Sequence, residues 1–170
     1  MRIRPVAGVA LVIAGGLAAA AAHGPSAQAD VSTGEVQANV AVSSAITLTL
    51  HTASFTLAGP PNTTVAQPGA VTYTVISNNA TGYEVLVRST SDVLTPVTAG
   101  NPDTIPIGNL EVRAISIYRP LSTTDTVIAN TDTPSGPTGD DYSNDYRVHI
   151  PNVRADTYHT TLVYTAVTNP

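Results

Sequence analysis

The chain has 170 residues, with seven basic residues (all arginine) against twelve acidic ones, a formal net charge of −5, and no cysteine. That sign argues against nucleic acid, whose binding rests on neutralising phosphates, and against docking on an anionic lipid surface. The lack of a thiol excludes disulfides and lipid attachment at cysteine, so stability must come from packing and backbone hydrogen bonding.

The first segment reads as a secretory signal peptide, residues 1–29. Arg2 and Arg4 give a positive start, an apolar run follows from Val6 to Ala22, and His23-Gly24-Pro25 breaks it. Ala27-Gln28-Ala29 then supplies small residues at −3 and −1, placing cleavage between Ala29 and Asp30. The alternative is an uncleaved anchor, but the run is short and rich in Ala and Gly for a span of roughly 20 apolar residues. No second apolar run occurs, so no transmembrane segment is expected in the mature chain. Without Arg2 and Arg4 it keeps five arginines against the twelve acids, a formal −7. Residues 30–170 suit a single domain with a real core. The lysine-free, alanine-rich composition fits a high-GC bacterial gene.

Along that domain, apolar and polar residues alternate from Glu35 to Leu50, with Val36, Ala38, Val40, Val42, Ile46, Leu48 and Leu50 on one parity. Period two predicts a half-buried strand. The run is longer than an ordinary strand of about 5–6 residues, which places a break near Ser43-Ser44. Ala53–Leu57, with Phe55, reads as a short strand. Gly59-Pro60-Pro61-Asn62 and Gln67-Pro68-Gly69 read as turns. Val71–Ser77 and Tyr83–Arg88 are alternating strands around the loop Asn78–Gly82, most simply a β-hairpin. Ser91–Gly108 is a long connection with room for a short strand. Leu110–Tyr118 carries apolar residues on both parities, as in a more buried strand. Thr126–Ala129 is a brief edge strand, Asn130–Asn144 a polar loop, and Pro151–Asp156 a turn. The strands Tyr146–Ile150 and Tyr158–Val167 complete the chain.

No helical period survives after residue 29. The fold class is therefore all-β: an immunoglobulin-like β-sandwich of about seven to nine strands with Greek-key connections. Val36, Val40, Ile46, Leu48, Tyr73, Val75, Val85, Val148, Ile150 and Leu162 are its expected core.

Chemistry-bearing patterns are sparse. His51, His149 and His159 lack zinc-site spacing and read as strand histidines. Asp140-Asp141-Tyr142-Ser143-Asn144-Asp145 is the densest oxygen cluster; Asp141, Ser143 and Asp145 alternate as in a calcium loop. Tyr146 and Asn152 stand where that motif requires Gly and Glu, which leaves a looser calcium site or a solvated acidic loop. There is no G-x-S-x-G elbow, no phosphate-binding glycine pattern and no tryptophan to stack on a sugar. Asn62-Thr63-Thr64 and Asn79-Ala80-Thr81 match the glycosylation sequon but read as turn asparagines. No catalytic residue, cofactor or metal is assigned.

Two segments, Thr72–Ser89 (TYTVISNNATGYEVLVRS) and Tyr146–Pro170 (YRVHIPNVRADTYHTTLVYTAVTNP), together resemble the motif-bearing segments of WxL-type surface domains of Gram-positive bacteria. Tyr83-Glu84-Val85 and Tyr164-Thr165-Ala166 stand where that family carries its Trp-x-Leu motifs. The resemblance implies non-covalent contact with the cell wall, with Tyr83 and Tyr164 as exposed surface-binding residues; the alternative places both rings at the core or rim.

The function expected from these readings is a secreted, non-catalytic domain. It would be retained non-covalently at the cell surface, or make contacts with cell wall or another exported protein. The alternative is a secreted enzyme or inhibitor on a β-sandwich scaffold.

Overall fold

The structure is a computed structural model that describes residues 31–170. The signal segment 1–29 and the Ala29–Asp30 junction lie outside the described residues. Residues 41–170 form one compact unit, and the described residues 31–40 fall outside it. Among the described residues no helix is long and apolar enough to cross a membrane.

Residues 41–170 are all-β. The strands are β1 (Ile46–Leu50), β2 (Thr63–Ser77), β3 (Tyr83–Ser89), β4 (Val93–Pro96), β5 (Ile105–Pro106), β6 (Leu110–Ala114), β7 (Ile117–Pro120), β8 (Thr126–Thr131), β9 (Asp140–Ile150), β10 (Tyr158–His159) and β11 (Leu162–Thr168). They form three antiparallel sheets, ordered β1-β2-β9-β6-β7, β11-β3-β8 and β10-β4-β5. Tyr73, Val75, Val112, Tyr146 and Val148 of the first sheet share one buried cluster with Tyr83, Val85, Val87 and Ile128 of the second. Two sheets burying a common core are consistent with a β-sandwich. Period two carries this directly: Tyr83, Val85, Val87 and Ser89 of β3 face in, and the residues between them are half-exposed.

Of the expected core, Tyr73, Val75, Val85 and Val148 are buried, while Ile46, Leu48, Ile150 and Leu162 pack against it from partly buried positions. Val36 and Val40 are not core: they are 94% and 87% exposed, and residues 31–45 form no strand. Alternation specifies two faces but supplies no neighbour. Ile46 lies opposite Ser77, the last residue of β2. Beyond it a side chain takes the ladder's place: Ala45 N–H donates to Asn78 Oδ1 at 2.7 Å, and Asn78 Nδ2 donates to the Ser43 carbonyl at 2.9 Å. The break expected at Ser43-Ser44 is therefore where the strand starts.

Four other expectations change. Gln67-Pro68-Gly69 is a bulge inside β2, where the register with β9 shifts between Gln67 and Val71. Gly69 has φ 62° there, and its N–H donates to Asp145 Oδ1 at 2.8 Å. β2 and β3 do not form a hairpin: they belong to different sheets, and Asn78–Gly82 crosses between them. Leu110–Tyr118 is not one strand but the β6–β7 hairpin, turning at Ile115, whose φ is 59°. Ala53–Leu57 forms no strand, although Phe55 packs on the Tyr146 ring with centroids 4.7 Å apart.

Gly82 makes the sheet crossing tight. Its φ is 83°, and a Cβ there would lie 2.0 Å from the Thr131 carbonyl oxygen. Asn169 clamps the same corner, donating from Nδ2 to the carbonyls of Thr131 and Thr81 at 2.8 and 2.9 Å. Asn79 Nδ2 donates to the carbonyls of Gly82 and Asn169. The second sequon asparagine is thus a structural crosslink.

Candidate functional site

Tyrosines concentrate between the sheets because β2, β3, β9 and β11 each turn one or two inward. Tyr83 is fully buried. Its hydroxyl donates to Asp140 Oδ2 at 2.6 Å and lies 2.8 Å from the Tyr142 hydroxyl. The Tyr146 and Tyr164 hydroxyls share a hydrogen bond of 2.6 Å. Tyr73 stacks on Tyr142 at 5.2 Å and tilts against Tyr164 at 5.5 Å. The Tyr73 hydroxyl is buried without a partner.

Burial raises the pKa of Tyr146 to about 12. Burial also raises those of Tyr73, Tyr83 and Tyr164, with neighbouring tyrosines adding to the rise and, at Tyr83, the hydrogen bond to Asp140. Phenols held this far from ionisation stay protonated within the core at neutral pH.

The two tyrosines expected at the surface stand elsewhere. Tyr83 is sealed in the core. Tyr164 is partly buried opposite Val87, its hydroxyl spent on Tyr146. Neither ring offers the free face that wall contact would need. Tyr83 shares its parity with Val85 and Val87, all buried in β3.

The acidic cluster is not a loop. Asp140–Asp145 is the first half of β9, so Asp140 points to the face opposite Asp141 and Asp145. Asp140 serves Tyr83 and the Gly136 N–H, Asp141 accepts from Thr74, and Asp145 accepts from Gly69 and pairs with Arg113 at 3.3 Å. The segment is a strand and not a loop, and the Asp141 and Asp145 carboxylates are already held by Thr74, Gly69 and Arg113. Among the described residues no group of three or more His, Cys, Asp or Glu could hold a metal ion.

One polar chain reaches the surface. His51 Nε2 lies 2.7 Å from Thr74 Oγ1, which donates to Asp141 Oδ1 at 2.5 Å. A hydrolytic triad needs the imidazole between hydroxyl and carboxylate. Here the hydroxyl is in the middle, with its proton directed to Asp141, and the chain locks β1's end onto β2 and β9. His149 Nδ1 lies 3.4 Å from Thr64 Oγ1, and His159 pairs across from Thr95.

A different feature carries more. β6 pairs with β9 only at Leu110↔Val148, Glu111↔Arg147 and Val112↔Tyr146. Past Val112 the β6–β7 hairpin parts from β9, and Asp140–Asp145 has a ladder partner on the β2 side only. The gap is a cleft of about 400 Å³ lined by Arg113 and Ile115 on one wall, Tyr142–Asp145 on the other, and Ile128–Asn130 beneath. Asn144 is buried on this cleft, and its Oδ1 has no partner. Ile115, at positive φ, is 81% exposed at the rim, with Ile117 also exposed. Sequence reasoning missed the cleft, because it read Leu110–Tyr118 as one strand and Asn130–Asn144 as loop.

The chain matches no protein-family model, and no curated protein is significantly similar to it.

Proposed function

We propose that this chain is a secreted, non-catalytic extracellular contact module, associated with the cell surface through cell wall or another exported protein. The observation that carries this reading is the open cleft beside β9. There an unpaired strand edge, a buried unpartnered amide and an exposed isoleucine at strained φ meet at one place. An apolar rim over unsatisfied polar groups suits a partner that supplies backbone hydrogen bonds and apolar side chains. The signal-like N-terminus and the WxL-like segments support an exported, surface-retained protein of a bacterium. An immunoglobulin-like sandwich with Greek-key crossings is the finer fold we infer. β2 and β3, and again β8 and β9, pass from one sheet to the other, which supports it.

Sedimentation with purified Gram-positive cell envelopes tests the reading. The wild-type chain should co-sediment, and Ile115→Asp should stay in the supernatant with an unchanged circular-dichroism spectrum. Equal retention of both proteins would remove the cleft from the account. Reproducible turnover of a polysaccharide, ester or peptide that disappears in His51→Ala would replace contact by catalysis.

A further inference from the structure

The cleft runs along the free edge of β9, bridged at one end by the Arg113–Asp145 pair, and the same chain carries a strand-like segment without a sheet. Residues 35–42 alternate cleanly, with Val36, Ala38, Val40 and Val42 on one parity. Val36, Val40 and Val42 are 94%, 87% and 80% exposed. A run of valines on one face with polar residues on the other is the pattern of a strand that buries one side. Between Val31 and Ala45 the only charge is Glu35, so the segment meets no strong repulsion beside Asp140, Asp141 and Asp145.

Lengths match. The unpaired half of β9 spans Asp140–Asp145, about 20 Å at roughly 3.3 Å per residue, and residues 35–42 extend over about 26 Å. A strand entering there would give the edge of β9 backbone partners, set valines over Ile128 and Ala129, and bring N–H groups to Asn144 Oδ1.

We propose that residues 35–42 of one copy insert as an added strand alongside Asp140–Asp145 of a second copy, linking copies head to tail. This rests on the reading of the domain as a contact module and names its partner. The geometry favours another copy over the chain's own cleft. Ser43 and Ala45 are tied to Asn78 beside β1, and β2 and β9 stand between β1 and the gap. Three strand spacings, about 14 Å, would consume roughly four residues (39–42) and leave only 35–38 to pair. A second copy delivers the whole segment. A heterologous contact of this kind builds a ring where the rotation between copies closes and an open chain where it does not.

The absence of cysteine makes the test direct. Full-length Val40→Cys protein is mixed with full-length Ser143→Cys protein and treated with a short thiol cross-linker. A Val40→Cys and Ala99→Cys mixture serves as control, because Ala99 is exposed on the β4–β5 loop. The expected result is a heterodimer band several-fold stronger with Ser143→Cys than with Ala99→Cys. Adding Val36→Asp to the Val40→Cys chain should abolish it; Val36 is outside the core, so this change leaves folding intact. Equal yields at the two positions, or insensitivity to Val36→Asp, would overturn the proposal. So would a doubly substituted Val40→Cys/Ser143→Cys chain that links only within itself. If cross-linking fails while envelope retention still depends on Ile115, this inference falls and the contact reading stands.

Discussion

Alkali should unfold this domain through its buried tyrosines. An unfolded tyrosine ionises near pH 10, whereas Tyr146 in the fold does so at about 12. Between those values the native state holds a proton that the unfolded state has released, so stability is complete below pH 10 and falls as pH rises. At about 1.36 kcal/mol for each step of one in pH, the loss from Tyr146 alone is roughly 3 kcal/mol by pH 12. Tyr73 and Tyr164 are shifted the same way by burial, and each adds to the loss. Against a typical domain stability of roughly 5–15 kcal/mol, the sum is large enough to bring cooperative unfolding between about pH 11 and 12. Far-ultraviolet circular dichroism and phenolate absorbance should be followed together. The expected outcome is loss of β signal coincident with a late rise in phenolate. A Tyr146→Phe/Tyr164→Phe variant should move that midpoint upward, since the hydroxyl pair that must ionise is gone. Complete tyrosine ionisation with the β spectrum intact would refute the sealed-cluster argument.

Three further outcomes follow from particular contacts. Gly82→Ala should cost at least about 2–3 kcal/mol in urea unfolding, because the added methyl meets the Thr131 carbonyl at 2.0 Å and the residue must keep positive φ. Tyr83→Phe should lose about 1.5–3 kcal/mol, the value of a hydrogen bond to a carboxylate, and Tyr83→Ala about 3–5 kcal/mol; a change within error for Tyr83→Phe would show that Asp140 does not accept from it. Ile115→Gly should raise the melting temperature, by relief of about 1 kcal/mol of left-handed strain, while envelope retention falls.

Period-two alternation located β3, the second half of β2, and the inward Tyr73 and Tyr146, because a side chain's face is a local property. Pairing is not local. Glu35–Leu50 alternates throughout, yet only Ile46–Leu50 has a neighbour, since β2 ends opposite Ile46. Gln67-Pro68-Gly69 has turn composition, but flanking residues still pair with β9, so the chain absorbs it as a bulge. The acidic run Asp140–Asp145 looked like loop by composition and is strand because Val71–Val75 lies beside it. The cleft was illegible for the same reason: it is defined by where β6 leaves β9, and no residue type announces that parting.

The corner held by Asn169 bears on how the chain folds. β3 finds its ladder partners far along the sequence, with Glu84 opposite Asn130 and Tyr83 opposite Thr168. Asn169 then closes onto Gly82 and Thr131. Topologies dominated by such distant pairings fold on the order of milliseconds to seconds, because loop closure must precede any return in contact energy. β3 therefore waits, half-made, for residues more than half the domain away. The corner at Gly82 is thus sealed by contacts that join distant stretches of chain, which ties the pace of its assembly to the closure of long loops.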